Sequence, residues 1–226
     1  MTGPWGPAAA LEEACGPALR PGGLDLTRRA LDFCRFPRGA RLLDAGCGPG
    51  TTLGLLAGLG FEAQGLDPSP DFVLRAAAVG PARLGSLLDL PQGDGSLDGL
   101  FCECVLGLIQ ERRRALSEIG RVLRPGGFLV LSDVFAGPAI TGAPRDDRPG
   151  PCPAAMTVGE AISELALFGF RPELVEDHSQ ALRTMAARLV WTHGARWPWA
   201  RQGRGPRPSY VLVVASKTGD PTVARD

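Results

Sequence analysis

The stretch Leu42-Leu43-Asp44-Ala45-Gly46-Cys47-Gly48-Pro49-Gly50-Thr51-Thr52 constrains this chain more than any other. An apolar run enters three alternate glycines and leaves as a helical pattern over Thr51–Leu59, as a parallel strand does when it feeds a helix through a tight loop. Such glycines let the backbone pass close beneath a ligand and leave helix N-terminal amides facing it. A dinucleotide fingerprint needs its third glycine at position 51, where this chain has Thr51, so the spacing favours a ligand other than NAD.

The same alternation runs on. Strands are expected at Arg41–Ala45, Glu62–Leu66, Ala82–Leu84, Gly99–Cys104 and Phe128–Ser132, with helices at Asp71–Val79 and Arg112–Val122. Leu123-Arg124-Pro125-Gly126-Gly127 is expected to end the last helix and turn the chain into the next strand. This order predicts an α/β fold, a doubly wound, mostly parallel sheet with helices on both faces. Gly137 to Pro153, with five prolines and four charges, reads as a loop. A helix over Thr157–Phe168 follows, its apolar face including Ile162, Leu165 and Ala166, then a strand at Glu173–Val175, a helix at Ser179–Trp191 and a strand at Tyr210–Ala215. Residues 1–36 are expected to form a helical cap, with Leu26–Cys34 packing on the sheet, and 217–226 a frayed tail.

At 226 residues and 44% hydrophobic, one domain with a real core is expected. Zero net charge gives the molecule no overall field toward nucleic acid or a membrane. The average hides an asymmetry: residues 178–219 hold seven basic and no acidic side chains. No window approaches the 18 apolar residues of a membrane span, and Glu12 and Glu13 break any secretory pattern. Six cysteines without an export signal read as reduced thiols, so a cytoplasmic location is expected. The two histidines, His178 and His193, lack metal-ligand spacing, and no metal is expected.

A second acid, Asp67, ends the next strand 23 residues after Asp44, where a carboxylate can take two ribose hydroxyls. With the Leu90-Pro91 and Gly95-Ser96-Leu97-Asp98 run and Arg121-Val122-Leu123-Arg124-Pro125-Gly126-Gly127, these motifs resemble the class I S-adenosylmethionine-dependent methyltransferase family. The resemblance covers about residues 37–135 and extends more weakly to 215, which marks 37–216 as a methyltransferase domain. It implies a Rossmann-like seven-stranded sheet with an antiparallel C-terminal strand, and S-adenosyl-L-methionine as cofactor. It also places the cofactor at Asp44, Ala45, Gly46, Gly48, Gly50, Thr52, Asp67, Pro68, Ser86, Leu87 and Cys102. Ser86 stands where the family commonly has an acid for the adenine; a hydroxyl can still accept from the adenine amino group, though less strongly.

Methyl transfer to a small molecule by in-line displacement is the function these motifs imply, the acceptor approaching the carboxyl ends of the fourth and fifth strands. Glu103 is the candidate to orient or deprotonate it, or else a hydrogen-bond partner. Cys102 and Cys104 are expected on one face as small core residues. The position of Cys152 loosely resembles arsenite methyltransferases, with Cys15, Cys34 and Cys47 as conceivable further thiolates. A rival reading takes Arg183, Arg188, Arg196, Arg201, Arg204 and Arg207, interleaved with Trp191, Trp197 and Trp199, as a nucleic-acid surface. The favoured reading of that segment is a helix whose tryptophans pack on the sheet. A cofactor-binding protein without catalysis is the remaining alternative.

Overall fold

The computed structural model describes residues 8–137, 156–193 and 208–219. Strands β1 (Arg41–Ala45) and β4 (Leu97–Glu103) are apolar on both faces because they lie mid-sheet, with helices above and below. On one side β1 pairs in parallel with β2 (Glu62–Asp67), and β2 with β3 (Ala82–Leu84); on the other β4 pairs in parallel with β5 (Leu123–Phe135). Beyond β5 comes β7 (Ser209–Lys217), antiparallel to β5 and to the edge strand β6 (Phe170–Asp177). The order β3-β2-β1-β4-β5-β7-β6 is the expected Rossmann-like sheet of seven strands with one antiparallel C-terminal strand. Its chain reversal between β1 and β4 opens a crevice at the carboxyl ends, where such sheets bind ligands.

Helices cover both faces. Against one pack α1 (Ala8–Cys15), α2 (Asp25–Cys34), α3 (Thr51–Gly58), α4 (Pro70–Ala76) and α7 (Ser179–His193). Against the other pack α5 (Arg112–Val122) and α6 (Val158–Leu167). In α5, Ala115, Leu116, Ile119 and Val122 recur on one stripe and are fully buried, each large side chain contributing about 1.5–3 kcal/mol. A capping box starts α6: Glu160 N donates to Thr157 Oγ1 at 3.2 Å, and Thr157 N to Glu160 Oε2 at 2.7 Å. Phe36, just after α2, meets Phe61, Phe101 and Phe128 at centroid distances of 6.2, 6.3 and 5.9 Å, which fastens the N-terminal helices to the sheet.

Five sequence expectations change. Strand β5 begins at Leu123, paired with Leu97, because the Pro125-Gly126-Gly127 turn is accommodated inside an irregular ladder and does not precede it. Cys102 and Cys104 lie on opposite faces: β4 ends at Glu103, and the left-handed backbone of Cys104 (φ 59°) breaks the two-residue alternation. Trp191 does not pack on the sheet, being 90% exposed at the far end of α7, and α6 buries Ala161 and Leu165 while Ala166 is exposed. Lys217 closes β7 opposite Phe170, and its Nζ donates to the Leu123 carbonyl at 2.6 Å. Trp197, Trp199, Arg196, Arg201, Arg204, Arg207, Cys152 and all but Gly137 of the loop 137–153 lie outside the described residues.

Candidate functional site

The loop between β1 and α3 is stitched to the end of β2. Gly46 N and Cys47 N both donate to the Leu66 carbonyl, at 2.7 and 3.0 Å, and Gly48 N donates to Asp67 Oδ2 at 2.9 Å. Asp67 Oδ1 accepts from Ser69 N at 2.8 Å. Two backbone amides therefore hold this buried carboxylate at the crevice. An ionised carboxylate has about four acceptor sites, so two remain for the paired hydroxyls of a ribose. The glycine positions differ in what surrounds them. A methyl group on Gly46 would overlap Val105, whereas one on Gly48 would meet nothing within 4 Å, so the loop faces open space at Gly48.

Asp44 sits behind the loop. It accepts from the backbone amide of Leu53, in the first turn of α3, and its Oδ2 is buried without a partner. Burial, with the nearby charge of Glu103, pushes its carboxyl up to about 7, against a smaller opposing pull from Arg20. Glu103, at the end of β4, is enclosed by donors: Arg20 Nη2 at 2.8 Å from Oε2, Thr27 Oγ1 at 2.9 Å from Oε1 and Thr52 Oγ1 at 3.0 Å from Oε2. The same Arg20 nitrogen lies 2.6 Å from Thr27 Oγ1 and 2.9 Å from Thr52 Oγ1. The structure thus brings Asp44, Thr52, Asp67 and the glycine loop together as expected, and adds Arg20 and Thr27 from the N-terminal arm. Glu103 and Thr52 are engaged with that arm and do not stand free in the crevice.

Ser86 and Leu87 follow β3. Gly85 N donates to the Asp67 carbonyl at 3.1 Å, which sets Ser86 beside Asp67. Ser86 is exposed, and its Oγ accepts from Leu88 N at 3.2 Å, leaving the hydroxyl proton to donate. Pro68 is exposed next to Asp67, while Ala45 and Cys102 are fully enclosed in the core. Arg121 steadies the segment that follows Ser86 and Leu87, donating to the carbonyls of Leu90 and Gln92 at 2.8 and 2.9 Å and pairing with Glu118 and Asp94.

At the carboxyl ends of β4 and β5 lies a small, mostly apolar pocket lined by Leu106, Val134, Phe135, Met156 and Leu165, with Arg112 and Glu164 at its polar side. Asp133 lies in its wall, accepting from Gly107 N at 2.7 Å and Val134 N at 2.8 Å; burial pushes its carboxyl up to about 6. Opposite, Cys104 Sγ and Ser132 Oγ lie 3.2 and 3.0 Å from the Tyr210 hydroxyl, a buried polar chain between β4, β5 and β7. Burial pushes the Cys15 thiol up to about 11, and those of Cys34 and Cys47 up to about 12, which opposes thiolate formation. Among the described residues, no cluster of three His, Cys, Asp or Glu could hold a metal, and no helix is long and apolar enough to cross a membrane.

Sequence reasoning missed Arg20, Thr27, Arg121 and Tyr210. Arg121 carried a signal as part of the Arg-Val-Leu-Arg-Pro-Gly-Gly motif, and Arg20 as the start of an Arg-Pro-Gly-Gly stretch, but neither received a role from the sequence.

A methyltransferase domain family model matches residues 43–131, from the middle of β1 to β5. A ubiquinone biosynthesis O-methyltransferase of Xanthomonas oryzae pv. oryzae is 32% identical over 130 residues, covering 54% of this chain and 53% of the relative. The chain spans between about a third and about half the length of the curated relatives it matches. Among solved structures, the [4+2]-cyclase SpnF aligns with TM-score 0.71 at 24% identity, over 85% of this chain and 80% of SpnF. Haemonchus contortus phosphoethanolamine N-methyltransferase 2, in complex with S-adenosyl-L-methionine, aligns with TM-score 0.75 at 17% identity, over 93% of this chain and 56% of that one. Residues 43–131, which carry the glycine loop and the paired acids Asp44 and Asp67, thus match a methyltransferase domain, and the fold around them is the one these solved structures share.

Proposed function

We propose that the protein binds S-adenosyl-L-methionine and transfers its methyl group to a small-molecule acceptor. The observation that carries this reading is the Asp67 carboxylate, fixed by the Gly48 and Ser69 amides beside a loop that is open at Gly48. Asp67 would hold the ribose, the Gly46–Gly50 loop the methionine part, and Ser86 the adenine edge. When bound, the cofactor supplies a methyl group already activated on a sulfonium, so the protein has only to orient the acceptor and exclude water. The acceptor would approach the carboxyl ends of β4 and β5, where the lining is mostly apolar. Glu103, tied to Arg20 and two threonines, orders the site from behind and does not take the acceptor's proton; an acceptor that arrives as a ready nucleophile fits this arrangement. The domain division is residues 1–36 as a cap on 37–216. The five described cysteines are free thiols, which supports the cytoplasm as the compartment.

The fold alone does not fix this chemistry, since a [4+2]-cyclase shares it. The test has two parts: calorimetric titration with S-adenosyl-L-methionine, and transfer of a labelled methyl group to fractionated small molecules. Binding that Asp67→Ala weakens at least tenfold, together with a labelled product, is the expected result. Equal binding by wild type and Asp67→Ala would refute the assignment. Binding without any labelled product would favour the non-catalytic alternative.

A further inference from the structure

The chain from Gly85 to Ser96 joins β3 to β4 with no helix or strand of its own beyond a single bridge between Ser86 and Asp89, yet Leu87 and Leu90 are buried in the core beside α5. A buried backbone outside regular structure must find its hydrogen bonds elsewhere. Here they come from two side chains of α5, Glu118 and Arg121, one turn apart on the helix. Glu118 Oε2 accepts from Leu90 N at 2.8 Å, and Arg121 Nη2 donates to the carbonyl of the same residue at 2.8 Å. The pair therefore takes both backbone groups of Leu90, as a neighbouring strand would. Arg121 Nη1 donates to the Gln92 carbonyl at 2.9 Å and to Asp94 Oδ1 at 2.8 Å, while its Nε and Nη2 meet Glu118 Oε1 and Oε2 at 2.8 and 2.7 Å. Every N–H of the guanidinium thus has an acceptor. The Arg121 carbonyl in turn accepts from Gly95 N at 2.8 Å.

This clamp fixes one end of a turn. Gly85 N is tied to the Asp67 carbonyl at 3.1 Å and Leu90 to α5, so residues 86–89 form a short span held at both ends. Within it Ser86 is exposed, its carbonyl accepting from Asp89 N at 3.2 Å and its Oγ from Leu88 N at 3.2 Å. A hydroxyl turns to donate or accept as its partner requires, so Ser86 alone would tolerate a carbonyl oxygen in place of the amino group of a purine. A backbone amide cannot reverse its polarity, and it tells the two apart only where it is held in place. We propose that Glu118 and Arg121 are positioning residues for base selection: by fixing the backbone of the turn at 86–89 they make the site prefer adenine to hypoxanthine. This rests on the cofactor reading above and extends it to two side chains of α5 that act only through Leu90, Gln92 and Asp94.

The test compares S-adenosylhomocysteine with S-inosylhomocysteine, which carries hypoxanthine in place of adenine, by calorimetry on the full chain at a temperature where each variant is folded. The wild type should prefer the adenine compound by about tenfold or more. Arg121→Met should reduce that ratio to about threefold or less through lost affinity for the adenine compound, and Arg121→Lys, which keeps the charge but not the fork, should fall between the two. Glu118→Gln keeps the shape of the pair while loosening its hold on the guanidinium; it should lower the ratio by about twofold or more, and it carries the test if Arg121→Met does not fold. A purely structural role predicts a lower melting temperature with the ratio unchanged. That result, or a wild type that binds both compounds equally, overturns the proposal and leaves the cofactor reading intact. Failure of the wild type to bind either compound overturns the cofactor reading, and this proposal with it.

Discussion

Gly46 and Gly48 lie two residues apart in one loop, both at positive φ (78° and 53°), and the structure assigns them opposite phenotypes. An alanine at either position must adopt a left-handed backbone, at about 1–2 kcal/mol. At Gly46 the new methyl also lands on Val105, with Cγ1 at 3.0 Å and Cβ at 3.2 Å, and overpacking of this kind adds about 1–3 kcal/mol. Gly46→Ala should therefore lose about 3 kcal/mol, which lowers Tm by about 6–12 °C in a chain of this size. At Gly48 the methyl meets nothing within 4 Å, so stability falls only by the backbone cost of about 1–2 kcal/mol. The same methyl projects into the space proposed for the cofactor, and binding should weaken at least tenfold. Urea unfolding gives the two stabilities, and calorimetry with S-adenosylhomocysteine, at a temperature where both variants are folded, gives the two affinities. The reasoning fails if Gly48→Ala is the less stable of the pair, or if it binds as well as the wild type.

The buried acids set a pH dependence. Asp44 is raised from its ordinary 3.8 to about 7 and Asp133 to about 6, so the folded state holds protons that the unfolded state has released, and each acid costs stability as pH rises from about 4 toward its folded value. The slope is about 1.4 kcal/mol per pH unit for each such group, and Asp44→Asn should flatten the decline in urea stability between pH 5 and 7.5; an unchanged slope would contradict the assignment. Tyr210→Phe removes the hydroxyl shared by Cys104 and Ser132 and should cost about 1–2 kcal/mol in the same assay. Native protein should resist alkylation at pH 8 at Cys34, Cys47 and Cys102, with mass spectrometry showing reaction only after unfolding; rapid modification of any of these would show that its thiol is accessible and ionisable.

The parts of the fold that were legible share one property: their signal is local. β1 and β3 are short runs bounded by Gly, Pro or Asp, and α5 writes its buried stripe at helical spacing, so all three match the structure end to end. The glycine loop and Asp67 were legible for the same reason. Arg20 was not, because nothing in Arg-Pro-Gly-Gly says that its guanidinium will meet a carboxylate 83 positions later in the chain. The faces of Cys102 and Cys104 were misread because a two-residue period holds only while the strand continues, and a single positive φ ends it. Trp191 was placed on the sheet because large aromatics favour burial on average, which says little about one residue at the end of a helix.

The sheet order has a consequence for synthesis. Among the described residues the C-terminal strand, β7, is an interior strand, and β6 has β7 as its strand partner in the sheet. A chain leaving the ribosome can assemble β1 to β5 from parallel partners already present, but β6 waits and β5 keeps an unpaired edge until residues 209–217 emerge. Tyr210 enters at that late moment, and its hydroxyl closes the gap between the ends of β4 and β5, beside the crevice where the ligand is proposed to bind. Completion of the binding crevice is thus tied to arrival of the C-terminal strand, so a nascent chain stalled before residue 209 would present the glycine loop without its finished wall.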